Sequence, residues 1–212
     1  MTDKDPKSDA PLKYPQIRVP RLKGSEQVMD HEHKPISTVL KFWQWAYSGL
    51  SDNITRGVLA EFFVANAVGA ARGVRDPWAT HDVEDPRGFG IEVKSTAYIQ
   101  TWAHDAPARV AFDCPRTRAF DPTTNKVASH PGRHSPIYVL ALQAMQDQEK
   151  FNMLDVAQWE FYVVPTWWID APEPGRHSIS LATLRASNDF GKPVSYRGLA
   201  ARIGVVAGLA AT

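Results

Sequence analysis

The sequence predicts one α/β domain, a central mixed β-sheet flanked by helices, behind an N-terminal arm. Three observations predict it. Two helical patterns come first, five short β-prone runs follow, and short helices are mixed among the last of them. The length of 212 residues suits one domain, enough to bury ~70% of the unfolded surface without a metal or disulfide. Apolar residues are 43% and charged residues 22% of the chain, which excludes a wholly disordered, collagen-like or long coiled-coil protein.

Residues 1–36 read as a mobile or extended arm, and residues 37–212 as the domain. The arm holds Pro6, Pro11, Pro15, Pro20 and Pro35 and few large apolar groups, so it buries too little surface to offset its ordering entropy. Its seven basic residues face six acidic ones, which argues against a nucleic-acid-binding arm. His31 and His33 have no third ligand nearby and read as a solvated loop. A helix over 37–47 begins at Ser37 as its cap, and a stronger one runs from Ile54 to about Ala71, capped by Asn53. Strand patterns follow at 78–83, 89–97, 109–113, 137–143 and 159–164. Short helices are expected at 165–169, 181–186 and 196–207.

The segment from Asp82 to Lys94 carries the chemistry. Alternation in Ile91-Glu92-Val93-Lys94 sends Ile91 and Val93 to the core and puts Glu92 and Lys94 together on the other face. The turn-prone Asp85-Pro86-Arg87-Gly88 folds this strand back on 78–83, which brings Asp82 beside Glu92. Two carboxylates and an ammonium at one point suit a hard divalent cation, Mg2+ or Mn2+, held through oxygen with waters and phosphate oxygens. Upstream, Ile54, Val58, Ala65 and Val68 form an apolar helical stripe with Glu61 in its middle. A carboxylate there needs a partner, either an arginine such as Arg56 or Arg72, or a metal site shared with Asp82 and Glu92.

This pattern resembles the PD-(D/E)xK nuclease superfamily, with its restriction-endonuclease-like fold. In that superfamily an Asp begins one strand, (D/E)-x-K follows on the paired strand, and a Glu often comes from the preceding helix. The matching positions are Asp82, Glu92-x-Lys94 after nine intervening residues, and Glu61, within residues 53–102. His81 stands where the motif has Pro, and Asp76-Pro77 offers an alternative acid, with fifteen residues between Asp76 and Glu92. Several such families place a Gln shortly after the lysine, which makes Gln100, and with it Ser95, a candidate by resemblance. The resemblance implies a metal-dependent endodeoxyribonuclease. Asp82, Glu92 and Glu61 would serve the metal, and Lys94 the attacking water. The alternative is a catalytically silent nucleic-acid-binding or assembly subunit of the same fold.

The remaining features bear on partners. The formal charge of +1 gives no global pull toward nucleic acid or membrane, so DNA binding needs a local patch. Residues 107–135 are the most basic region, with Arg109, Arg116, Arg118, Lys126 and Arg133, and could track a phosphate backbone. Trp43, Trp45, Trp159, Trp167 and Trp168 read as core, whereas Trp102 could stack on a base. Cys114 is the one cysteine of the chain, which excludes an internal disulfide and a Cys-rich zinc site, and it reads as structural. The small-residue helix near the C-terminus reads as packing. Sequence specificity is expected from a homodimer, a partner subunit or the basic loop. No run reaches the length of a membrane span, and the first fifteen residues carry no signal-peptide pattern, so a cytoplasmic location is expected.

Overall fold

The computed structural model describes residues 13–171 and 176–210. Its first elements are a small hairpin, β1 (Gln27–Met29) and β2 (Pro35–Thr38), and the helices α1 (Val39–Tyr47) and α2 (Asn53–Ala67). Strands β3 (Val83–Glu84), β4 (Gly90–Ala97) and β5 (Ala111–Asp113) follow, then the short pair β6 (Phe120–Asp121) and β7 (Lys126–Val127). The chain closes with β8 (Ile137–Gln143), β9 (Trp159–Pro165), α3 (Thr166–Asp170), β10 (Ser178–Ser180), α4 (Leu181–Arg185) and α5 (Tyr196–Ala210).

The central sheet has the order β3-β4-β8-β9. Its pairs are antiparallel, parallel and antiparallel, so the expected mixed sheet is present. All seven residues of β8 are buried. A run apolar on both faces is what a strand covered on both sides requires. Helix α5 packs against β9 and α2 through Leu199, Ile203, Val206 and Ala207, spaced for one helical face. The β5–β10 ladder brings Phe112 and Ile179 into the same core. No helix among the described residues is long and apolar enough to cross a membrane.

Several boundaries differ from the sequence reading. Part of the arm is ordered: residues 27–38 form the β1–β2 hairpin, with His33 in its turn at φ 60°. Residues 1–12 lie outside the described residues. The cap of α1 is Thr38, the last residue of β2, whose side chain accepts from the Lys41 amide, and Ser37 lies one residue further back in the hairpin. The cap of α2 is Asp52, whose Oδ1 accepts from the amides of Ile54 at 2.9 Å and Thr55 at 3.0 Å. Gly69, at φ 76°, ends that helix earlier than expected, in the left-handed conformation glycine adopts freely. The strand expected over 78–83 shrinks to Val83–Glu84.

Two packing expectations are also corrected. The buried residues of α2 are Thr55, Arg56, Ala60, Glu61 and Val64, and of the expected stripe Ala65 and Val68 pack against the core while Ile54 and Val58 are exposed. Among the tryptophans only Trp159 is fully buried; Trp45 and Trp167 are exposed, and Trp43 and Trp168 are half-buried. Helix α1 rests on a turn rather than on the sheet, and contributes no buried residue.

Candidate active site

The site begins with a tight turn. The buried Asp85 carboxylate accepts from the Arg87 amide at 2.8 Å and from the Arg87 guanidinium at 2.7 and 2.9 Å. The Asp85 amide donates to Phe89 O, and Gly88 turns the chain at φ 88°. This turn fixes β3 against β4 with Val83 opposite Ile91. Continued by one residue, the register sets Asp82 opposite Glu92, as the spacing predicts. The Asp82 amide donates to Ile91 O at 3.1 Å, and its Oδ2 accepts from the Val93 amide at 2.8 Å. The carboxylate thus ends the ladder in place of a main-chain carbonyl. Beside it, the His81 ring lies so close to Gly90 that a Cβ there would stand 2.9 Å from His81 Nδ1.

Alternation along β4 buries Ile91 and Val93 and leaves Glu92 and Lys94 half-buried. Lys94 Nζ donates to Glu92 Oε1 at 2.5 Å. Burial works to lower the Lys94 pKa, but the charges of Glu92 and Asp82 outweigh it and hold the pKa above the usual lysine value. In the parallel register Tyr138 is the β8 neighbour of Glu92. Burial, reinforced by the Glu92 charge, raises its phenol above the ordinary tyrosine range. Asp82, Glu92 and Tyr138 line a cleft of about 210 Å3 together with Arg118, Phe120 and His134.

Glu61 is buried and sits at the same end of the sheet, within electrostatic reach of Asp82 and Lys94. Its partner is Arg75, not Arg56 or Arg72. The Arg75 guanidinium donates to both carboxylate oxygens, through Nε to Oε2 and through Nη2 to Oε1 at 2.8 Å. Burial pushes the Glu61 carboxyl above the usual range against the pull of Arg75, and the Asp82 charge adds to the rise. Arg56 instead donates to Asn53 Oδ1 and Ser51 O. Glu61 and Asp82 share a second cleft, lined also by Arg75, His81 and Phe62.

The donor set permits a test of the metal expectation. Asp82 and Glu92 line one cleft and each uses one oxygen internally, which leaves the other for a cation. Magnesium sites of one or two carboxylates completed by water and phosphate oxygens fit that pair. Glu61 does not fit as a direct ligand while Arg75 holds both its oxygens. Among the described residues no three acidic, imidazole or thiol groups stand close enough to share one ion.

Gln100 is not brought to the site. Its Nε2 donates to Ala97 O at 2.7 Å, at the far end of β4, and it lines none of these clefts. Ser95 lies further along the same strand, also outside the clefts. Asp76, the alternative acid, accepts from the Trp78 amide at 2.9 Å and stays out of the Glu92 cleft.

The basic region is not a plain loop, since it forms β5, β6 and β7. Two of its arginines are structural. Arg133, with a side chain only 1% exposed, donates to Cys114 O, Arg176 O and Asp170. Arg116 joins Asp170 at 2.6 Å. Residues the sequence reading missed include Arg75 and Tyr138. Tyr138 becomes visible only once β4 and β8 are known to pair. No family model, curated protein or solved structure matches the chain.

Proposed function

We propose that the chain is a divalent-metal-dependent phosphodiesterase of the PD-(D/E)xK type, with the restriction-endonuclease-like fold, acting on DNA as an endonuclease. The observation that carries this reading is the pairing of Asp82 with Glu92-x-Lys94 at one sheet end, with Asp82 and Glu92 open to a cleft and Lys94 behind them, outside the cleft lining and bonded to Glu92. Asp82 and Glu92 would hold magnesium or manganese. When bound, the metal supplies charge neutralisation and a more acidic water. Lys94 offers its ammonium to the attacking oxygen or to charge developing on the phosphate. Glu61, fixed by Arg75, shapes the negative field behind Asp82. Arg118, in the lining of the same cleft, would meet a phosphate oxygen.

A second reading is favoured by the Glu61–Arg75 pair, which occupies the helical carboxylate that the motif would turn to the metal. On that reading the protein is a silent nucleic-acid-binding or assembly subunit. Cleavage of supercoiled plasmid with Mg2+ or Mn2+ separates the two. We expect nicking by the parent chain and a loss of at least about 100-fold in Asp82→Asn and Glu92→Gln, the scale of losing charge stabilisation in such a site. Asn keeps an acceptor for the Val93 amide, so the loss would not reflect a frayed strand. Lys94→Ala should lose cleavage while retaining metal and DNA binding. Metal-independent nicking, or nicking unchanged in Asp82→Asn, would sink the reading.

A further inference from the structure

We infer that Trp78 and Phe120 form a stacking platform for an unpaired base beside the acidic cleft, so that the preferred ligand is single-stranded nucleic acid. This rests on the proposed phosphodiesterase reading for its phosphate site, but its own argument is geometric. Trp78 is 58% exposed in a segment without regular structure, an expensive place for a large apolar ring. It is nevertheless held in place. The Asp76 carboxylate fixes its amide, and its ring meets Phe120 edge-on at 5.3 Å between centroids and 62° between planes. Phe120 in turn begins a hairpin tied by Asp121, which accepts from the Thr123 hydroxyl at 2.6 Å and the Thr124 hydroxyl at 2.7 Å.

The position of the pair gives it a direction. Trp78 and Phe120 line the cleft that holds Asp82 and Glu92, and they also line a third cleft, of about 690 Å3, that includes Lys126 beside Asp76 and Asp121. The aromatic pair is therefore the threshold between the two. A strand with its phosphate at Asp82 and Glu92 would pass its next base over Trp78 and leave toward Lys126. Arg116 and Arg133 are spent on Asp170, whereas Arg118 lines the acidic cleft with no ion-pair partner among the described residues. The bases of a duplex are already stacked on one another and offer Trp78 no free face. An unpaired base offers a free π-face, and stacking on an aromatic side chain is tolerant of base identity. Trp102, the sequence-based candidate for this role, lines none of these clefts.

The test is fluorescence anisotropy of a labelled oligothymidylate and of a duplex of equal length, with the full chain in Ca2+, which takes the same oxygen ligands, each probe being checked on a gel for intact length. We expect the single strand to bind more tightly than the duplex, and Trp78→Ala to weaken it about tenfold, the scale of one lost stacked base. Trp78→Phe should restore most of the loss and Trp78→Leu, which keeps apolar bulk against Phe120 without a π-face, should not. Circular dichroism checks the fold of each variant. Equal affinity for both forms, no binding of either, or Trp78→Ala unchanged would overturn the platform. Because binding is read without cleavage, plasmid nicking stands or falls separately. A Trp78 effect with no cleavage of either plasmid or oligothymidylate in Mg2+ or Mn2+ would keep the platform and reject the nuclease.

Discussion

Strand β8 and helix α1 are both apolar in sequence, yet the protein treats them in opposite ways. Every residue of β8 is buried, flanked by β4 on one side and β9 on the other. Helix α1 buries none, and Leu40, Phe42, Trp45 and Tyr47 are exposed along it. Its anchors are local: Val39 and Leu40 donate to the carbonyls of Glu26 and Gly24, and Leu40 and Trp43 lie against Gly24. Gly24 stands at φ 93°, and a Cβ there would approach both side chains to 3.3 Å. Composition alone therefore does not assign a side chain to the core. What assigns it is a neighbouring surface to cover it, and the sheet supplies that for β8 alone. The site strand β4 is held by the half of the molecule that has such cover.

The most severe way to break the comparison is to open a cavity in β8. Leu140 is fully buried, and Leu140→Ala should cost 2–5 kcal/mol, the range for truncating a core leucine. Urea denaturation followed by circular dichroism measures it. A loss below about 1 kcal/mol would mean that the centre of the sheet collapses easily around the gap, and that β4 is less firmly held than its packing implies.

Alkaline pH probes the same buried side by charge. Burial pushes the Cys114 thiol up to about 12 from an ordinary 9.0. Burial also raises Tyr162 to about 12, helped by its hydrogen bond with Glu160. Above pH 9 the unfolded chain releases protons that the folded chain retains. The unfolded state then binds fewer protons, so stability falls as pH rises through this window. For Cys114 alone the loss is about 1 kcal/mol at pH 10. The difference in urea midpoint between pH 7 and pH 10 should shrink in Cys114→Ala. An unchanged difference would show that the thiol is not the group that titrates. The exposed Asp121 behaves oppositely. Hydrogen bonds from Thr123 and Thr124 hold it down to about 2, so its contribution is present above its ordinary 3.8 and is lost as pH falls.

These contrasts explain what was legible in the sequence. Strand β8 was readable to its boundaries because burial on both faces writes an unbroken apolar run. The Asp82–Glu92 pairing was readable because alternation and a short turn are local signals. Glu61 stood out as an anomaly, but its apolar stripe was misassigned at Ile54 and Val58. The small Ala60 faces the core while these larger residues do not, so periodicity weighted by size pointed there to the wrong side. Arg75 lies in the irregular stretch after α2, where no period predicts direction. The Trp78–Phe120 contact joins two segments that nothing in the sequence links. Gln100 was carried by resemblance alone, and the structure turns its amide back to the end of β4.

The smallest expected effect is at Trp45, and it tests the other half of the comparison. Its side chain is 86% exposed in the middle of α1. Tryptophan and serine have similar helix propensities, so Trp45→Ser changes little besides the indole. Burial that does not exist in the isolated chain cannot be lost, and the change in stability should stay within about 0.5 kcal/mol, the usual range for surface substitutions. Indole transfer alone would be worth several times that if the ring were covered. Urea midpoints at two protein concentrations make the result decisive. A loss above about 1 kcal/mol, or one that grows with concentration, would show that α1 is covered in solution. The two apolar elements would then differ in what buries them rather than in whether they are buried.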